Sequence, residues 1–248
     1  MKFGNRTNYW IVEGDHFDIS RGAAETVTIP MNEDRTLQFD PKRSAFIIID
    51  MQNYFCSPLL ERPEGALKLV PAITSTVSSC RQLGMQIVWV NWGNRPDSAN
   101  LPPSLLYSWQ RSGRPGLGQP LPKDLGLTLV KDSWSADIVD ELKSSYEESD
   151  YWVDKYRISG FPGTLLEQTL RANGINTLFF AGVNTDQCVM ATLQDASFLG
   201  YDNILLSDCT ATTSPAHVLE GALYNMRSKA FTSDSESLKA AALSSVQR

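Results

Sequence analysis

From residue 44 onward, apolar residues arrive in short unbroken runs separated by stretches of helical spacing. Ala45 to Ile49, Gln86 to Val90 and Thr177 to Val183 are near-continuous apolar runs, the pattern of strands buried on both faces. Between the first two, Val70, Ile73, Val77 and Cys80 fall on one helical face, and Gly84 stops the helix. Asp137–Leu142 reads as a short amphipathic helix and Tyr151–Val153 as a strand. Thr164–Ala172, closed by Gly174, and residues 188–199, closed by Gly200, predict two more helices. Asn203–Leu206 predicts a strand. Ser214-Pro215 opens a helix with Ser as N-cap and Pro at the first helical position, and a last helix begins near Ser235. Strands alternating with helices at this spacing imply right-handed βαβ units. The expected fold is α/β: a single three-layer α/β/α domain with a mostly parallel central sheet.

Two segments stand apart. Residues 1–40 read as a polar, irregular lead with one strand at Tyr9–Val12, an N-terminal extension packing on a domain of residues 41–248. Residues 93–124 are rich in Gly and Pro and carry Trp109, Arg111 and Arg114. A loop of that length in a compact domain is usually functional, here as a lid or an oligomer contact.

Composition narrows the partners. Hydrophobic residues make up 42 % of the 248 residues, ample for a core, and a charged fraction of 20 % argues against disorder. The net charge of −6 and the absence of a basic run argue against nucleic acid and anionic membrane surfaces. No apolar leader and no span of ~20 apolar residues is visible. Cys56, Cys80, Cys188 and Cys209 lack CxxC spacing, so reduced thiols in a cytoplasmic location are expected.

In an open α/β sheet, ligands bind beyond the carboxyl ends of the strands. The polar or reactive residues just past those ends are Asp50, Asn91, Lys155, Asn184 to Cys188, and Asp208 with Cys209. A thiol at Cys188, in the first turn of a helix, meets unpaired N–H groups that favour its anion. The bland reading of that cysteine is a small core residue, and for a lone Cys it is the commoner one. Asp50 ends an apolar strand, where a carboxylate serves as a general base or simply caps a turn. Lys155 stabilises a thiolate or oxyanion, or is a solvated surface lysine. Each residue alone is ambiguous.

Their order and surroundings decide. The segments "AFIIIDMQNYF", "VDKYRISGFPGT" and "LFFAGVNTDQCVMATLQDASFLGY" resemble the isochorismatase-like cysteine hydrolase superfamily over roughly residues 41–240. The resemblance implies a catalytic triad of Asp50, Lys155 and Cys188. It also implies a cis peptide between Val183 and Asn184 and an oxyanion hole from the N–H groups of Asn184 and Cys188. The implied reaction is hydrolysis of a C–N bond in a small amide or ureide through a thioester on Cys188. Neither cofactor nor metal is expected: the Asp-x-His pair of metal-dependent nicotinamidases is absent from "VNWGNRPD", and His16 and His217 are the only histidines. Isochorismate hydrolysis needs no thiol, which disfavours it. The Lys155-x-Arg157-x-Ser159-Gly160-Phe161 segment, Ser133-Trp134 and Val139–Leu142 look most like ureidoacrylate amidohydrolases, with biuret hydrolases and N-carbamoylsarcosine amidases near by. By position, Asn53, Phe55, Asn91, Trp134, Tyr156 and Phe161 are candidates for the substrate pocket. Family members are commonly oligomeric, so a homo-oligomer is expected. The contrasting reading is an α/β binding protein without activity.

Overall fold

The computed structural model describes residues 1–62, 65–111 and 113–246. Its first forty residues correct the expectation of an irregular lead. They form β1 (Lys2–Gly4), β2 (Tyr9–Glu13), β3 (His16–Asp18), β4 (Val27–Met31) and β5 (Arg35–Phe39). These strands lie in the order β1-β2-β3-β5-β4, antiparallel except for β3 beside β5. Each is three to five residues long and buried on one face at most. A two-residue period over so few positions hardly rises above a polar background. Ile29, Leu37 and Phe39 turn inward and share a core with the main sheet, where Phe39 packs on Phe179.

The remaining elements alternate as the apolar runs predict. They are β6 (Ser44–Ile49), α1 (Asn53–Cys56), α2 (Val70–Leu83), β7 (Gln86–Trp92), α3 (Pro103–Gln110), β8 (Tyr151–Lys155) and α4 (Leu166–Ala172). Then follow β9 (Thr177–Val183), α5 (Met190–Phe198), β10 (Asp202–Ala211), α6 (Ala216–Met226), β11 (Phe231–Ser233) and α7 (Ser235–Val246). The six strands run parallel in the order β11-β10-β9-β6-β7-β8. Side-chain alternation divides the interior in two. Phe46, Ile48 and Phe179 pack toward α2, α7 and the N-terminal sheet, whereas Ile47, Ile49 and Phe180 pack toward α4, α5 and α6. This is a three-layer α/β/α sandwich.

Several boundaries differ from the sequence reading. Residues 137–142 are not one helix; two 3-10 turns, Trp134–Ala136 and Asp140–Ser145, take their place. The 93–124 segment holds α3, whose Leu105, Leu106 and Trp109 pack on Tyr54 and Trp92. Helix α6 starts at Ala216 with Pro215 as its cap, so Ser214 is not the N-cap. Strand β10 runs on past Leu206 through an irregularity between Leu205 and Thr210. Strand β11 is too short to stand out.

One glycine governs how closely the central strands approach. Gly182, paired with Ile49, has φ 108°, and a Cβ there would lie 1.9 Å from the Ile49 carbonyl oxygen. Neither the dihedral nor the space admits a side chain. Gly182→Ala is expected to destabilise the fold by roughly 3–5 kcal/mol. A lowered urea midpoint is the readout; an unchanged midpoint would refute this account of the strand contact.

Candidate active site

Three strand ends bring the predicted acid, ammonium and thiol together. Asp50 follows β6 directly, with φ 55°. Continued alternation would send residue 50 toward α2; the left-handed turn breaks that register and directs the carboxylate along the sheet edge. Lys155 is the last residue of β8, two strands away, and its stem must cross β7 to reach Asp50. It does so over the indole of Trp92, with Nζ 3.9 Å from the ring centroid. There Lys155 Nζ lies 3.1 Å from Asp50 Oδ2 and 3.5 Å from Cys188 Sγ. It also donates to the carbonyls of Arg157 at 3.1 Å and Ile158 at 3.3 Å. Asp50 and Lys155 are wholly buried and Cys188 is 6 % exposed.

Cys188 follows β9 in a π-helical turn, Thr185–Val189, that leads into α5. The Val183–Asn184 peptide before it is cis. Thr192, one turn on, donates to the Cys188 carbonyl at 2.7 Å and accepts from Gly160 N at 3.0 Å. The thiol loop is thereby tied to the loop after Lys155. Gln52 joins the other two strand ends: it accepts from Trp92 N at 3.0 Å and donates to the carbonyls of Trp92 and Ala136.

The electrostatics correct one expectation. A thiol in a helix first turn is expected to ionise easily, but burial pushes Cys188 up to about 12, and the Asp50 charge beside it adds to the rise. Lys155 opposes both effects without cancelling them. Burial likewise raises the Asp50 carboxyl, against the pull of Lys155 and of its hydrogen bond with Cys188. The resting site is therefore a neutral thiol beside a buried carboxyl whose ionised form Lys155 favours. Such a contact lets the proton pass from sulfur to oxygen with no change in net charge.

The other thiols lack these partners. Cys56 and Cys209 are each pushed up to about 12 by burial, and Cys80 higher still. Cys209 sits beside Thr76 Oγ1, 3.7 Å away.

The pocket candidates fare unequally. Asn91 stands one residue past the Ile49–Val90 pair, beside Asp50, and both polar atoms of its buried amide lack a protein partner. Asn53 is buried, and its Nδ2 donates to the Trp134 carbonyl at 2.9 Å. Phe55 packs on Tyr54 and Trp109, and Tyr156 joins the apolar cluster under α3. Trp134 lines a cleft of about 330 Å³ with Trp92 and Asp154 that none of the three central residues borders. Phe161 is buried, and its ring packs on Tyr201 within the apolar cluster that also holds Cys188. Trp92 escapes the sequence reading, because only polar and reactive side chains stand out at strand ends. So do the buried Thr185 Oγ1 and Trp92 Nε1, which lack protein partners beside the thiol loop and the ammonium.

Among the described residues, no three His, Cys, Asp or Glu side chains are grouped to hold a metal ion, and no helix is long and apolar enough to cross a membrane.

Fold and site together define a parallel α/β protein with a buried acid–ammonium–thiol cluster at its strand ends. The chain belongs to the family described as Isochorismatase domain, which matches residues 44–237. It is 35 % identical over 197 residues to the ureidoacrylate amidohydrolase RutB of Caulobacter segnis, a match spanning 76 % of this chain and 81 % of that protein. The structure of N-carbamoylsarcosine amidase from Thermoplasma acidophilum superposes with a TM-score of 0.59 at 25 % identity, over 78 % of this chain and 96 % of that one. A cysteine hydrolase from Pseudomonas syringae shares the fold at a TM-score of 0.70 and 22 % identity, over 90 % and 99 % of the two chains.

Proposed function

We propose that this chain is a cysteine-dependent amidohydrolase that cleaves a C–N bond of a small amide or ureide. The contact of Lys155 Nζ with both Asp50 and Cys188 inside a water-poor site carries this reading. The names of the amidohydrolase relatives support it. Asp50 takes the thiol proton, and the Cys188 sulfur attacks the carbonyl carbon, forming the S–C bond as the C=O electron pair moves to oxygen. Lys155 stabilises the anionic partners throughout. The N–H groups of Asn184 and Cys188 hold the oxyanion. As the intermediate collapses, Asp50 returns its proton to the departing nitrogen and the C–N bond breaks. A water deprotonated by Asp50 then releases the acyl or carbamoyl group from sulfur. Asn91, Thr185 Oγ1 and Trp92 Nε1 are the buried polar groups left to meet a planar polar substrate. Four unpaired thiols suit a reducing cytoplasm.

The test is ammonia release over a panel of ureides, carbamoyl amino acids, biuret and nicotinamide. Turnover of a ureide or carbamoyl compound is expected; no turnover across the panel overturns the reading.

A pH prediction follows. Asp50 must be ionised to accept the proton, and its pKa is raised by burial. The acid limb of kcat/KM should therefore lie above the ordinary Asp value of ~3.9. It reports the coupled site rather than one residue. A plateau persisting to about pH 4 would exclude Asp50 as the base.

A further inference from the structure

At the opposite end of the sheet from Cys188, a cleft of about 260 Å³ opens between the N-terminal sheet and the start of β10. Trp10 and Arg35 form one wall; Tyr201, Asn203, Arg227 and Phe231 form much of the other. Trp10 and Arg35 lie outside the region matched by the family, which begins at residue 44. The cleft is thus a feature that this chain's own extension completes.

Its chemistry is cationic in a chain of net charge −6. The one acid on its wall, Asp202, is already engaged by Arg21 at 2.7 Å and by Trp10 Nε1 at 3.0 Å. Arg35 pairs at 3.0 Å with Glu33, which is 68 % exposed, a screened contact that competes weakly with a ligand. Arg227 makes no side-chain hydrogen bond or ion pair among the described residues. Lys229 beside it adds a second positive charge.

One further atom points to an occupant. Asn203 Oδ1 is buried without a protein partner, and Asn203 lines the cleft. Buried polar atoms are almost always paired in native proteins, so one acceptor here awaits a group from outside. Trp10 and Phe231, 5.5 Å apart, supply an aromatic surface alongside.

We propose that this cleft is a binding site, separate from the triad, for a planar organic anion. A phosphate or carboxylate group faces Arg227 and Lys229, the ring lies against Trp10 and Phe231, and a ring or amino N–H donates to Asn203 Oδ1.

Titration calorimetry on the full chain tests this with four probes: adenosine monophosphate, 4-aminobenzoate, adenosine and inorganic phosphate. At least one of the two ring-bearing anions is expected to bind one per chain, and at least tenfold more tightly than adenosine or phosphate. Which of the two binds distinguishes a phosphate from a carboxylate ligand. Arg227→Gln, at an exposed position, should weaken that binding at least tenfold. Cys188→Ser should leave it unchanged, which separates this site from the triad. No binding by either anion, equal binding of adenosine, or unaltered affinity in Arg227→Gln overturns the proposal.

Discussion

Cys188→Ser is expected to abolish ammonia release while leaving the fold intact. Removal of an activated nucleophile lowers kcat on the order of 10⁴-fold or more, because the acid, the ammonium and the oxyanion donors have no bond-forming partner without it. A serine hydroxyl fills nearly the same volume and keeps a hydrogen bond to Asp50. A single buried carboxylate is too weak a base to activate it. Cys188→Ala should match the serine variant in activity, since both lack the sulfur. Cys56→Ala, Cys80→Ala and Cys209→Ala should retain kcat, because burial holds all three thiols neutral and none has Lys155 within reach. Steady-state ammonia release and thermal unfolding of the five variants decide it. Turnover above about a tenth of wild type in Cys188→Ser would remove the nucleophile assignment.

The sequence disclosed the reactive groups better than their state. Unbroken apolar runs such as Ala45–Ile49 mark strands covered on both sides, and residues just beyond them must lie along one edge. That rule gathers Asp50, Lys155 and Cys188 together with Asn91, Asp208 and Cys209, and only the family resemblance singles out the three. Their ionisation is not legible there, because it depends on enclosure: Cys188 is buried against Asp50, and no local pattern reports how much water a distant segment excludes. Trp92 escapes for a related reason. It is apolar by type, and its role under Lys155 arises only because β7 lies between β6 and β8. Phe161, in a motif near Lys155, packs on Tyr201 in the apolar cluster that also holds Cys188, a placement that no local pattern reports. The N-terminal sheet is hidden because its strands are only three to five residues long, too short for a two-residue period to stand out.

Lys155→Met should be the most destabilising change at the site. It removes the charge that balances Asp50 where both side chains are fully buried. Breaking such a pair from one side typically costs about 3–5 kcal/mol, because the remaining ion is left without compensation. Two carbonyls, of Arg157 and Ile158, also lose a donor. The carboxylate loss is repairable and the carbonyl loss is not. Lys155→Met combined with Asp50→Asn should therefore recover part of the stability while remaining inactive. The same balance fixes the sign of the pH dependence. With Lys155 gone, the attraction opposing burial disappears, and the folded-state pKa of Asp50 rises further above its unfolded value of ~3.9. A raised carboxyl favours the protonated native state. Native stability in Lys155→Met is thus greatest below the unfolded pKa and is lost as pH rises through the folded one. The gap to wild type should narrow as the pH falls, and the double variant should not show that narrowing. Urea midpoints of wild type, both single variants and the double variant, taken across the acid range, measure the coupling. Additive effects within about 0.5 kcal/mol, or a gap that widens on acidification, would show that Asp50 and Lys155 do not act as a buried ion pair.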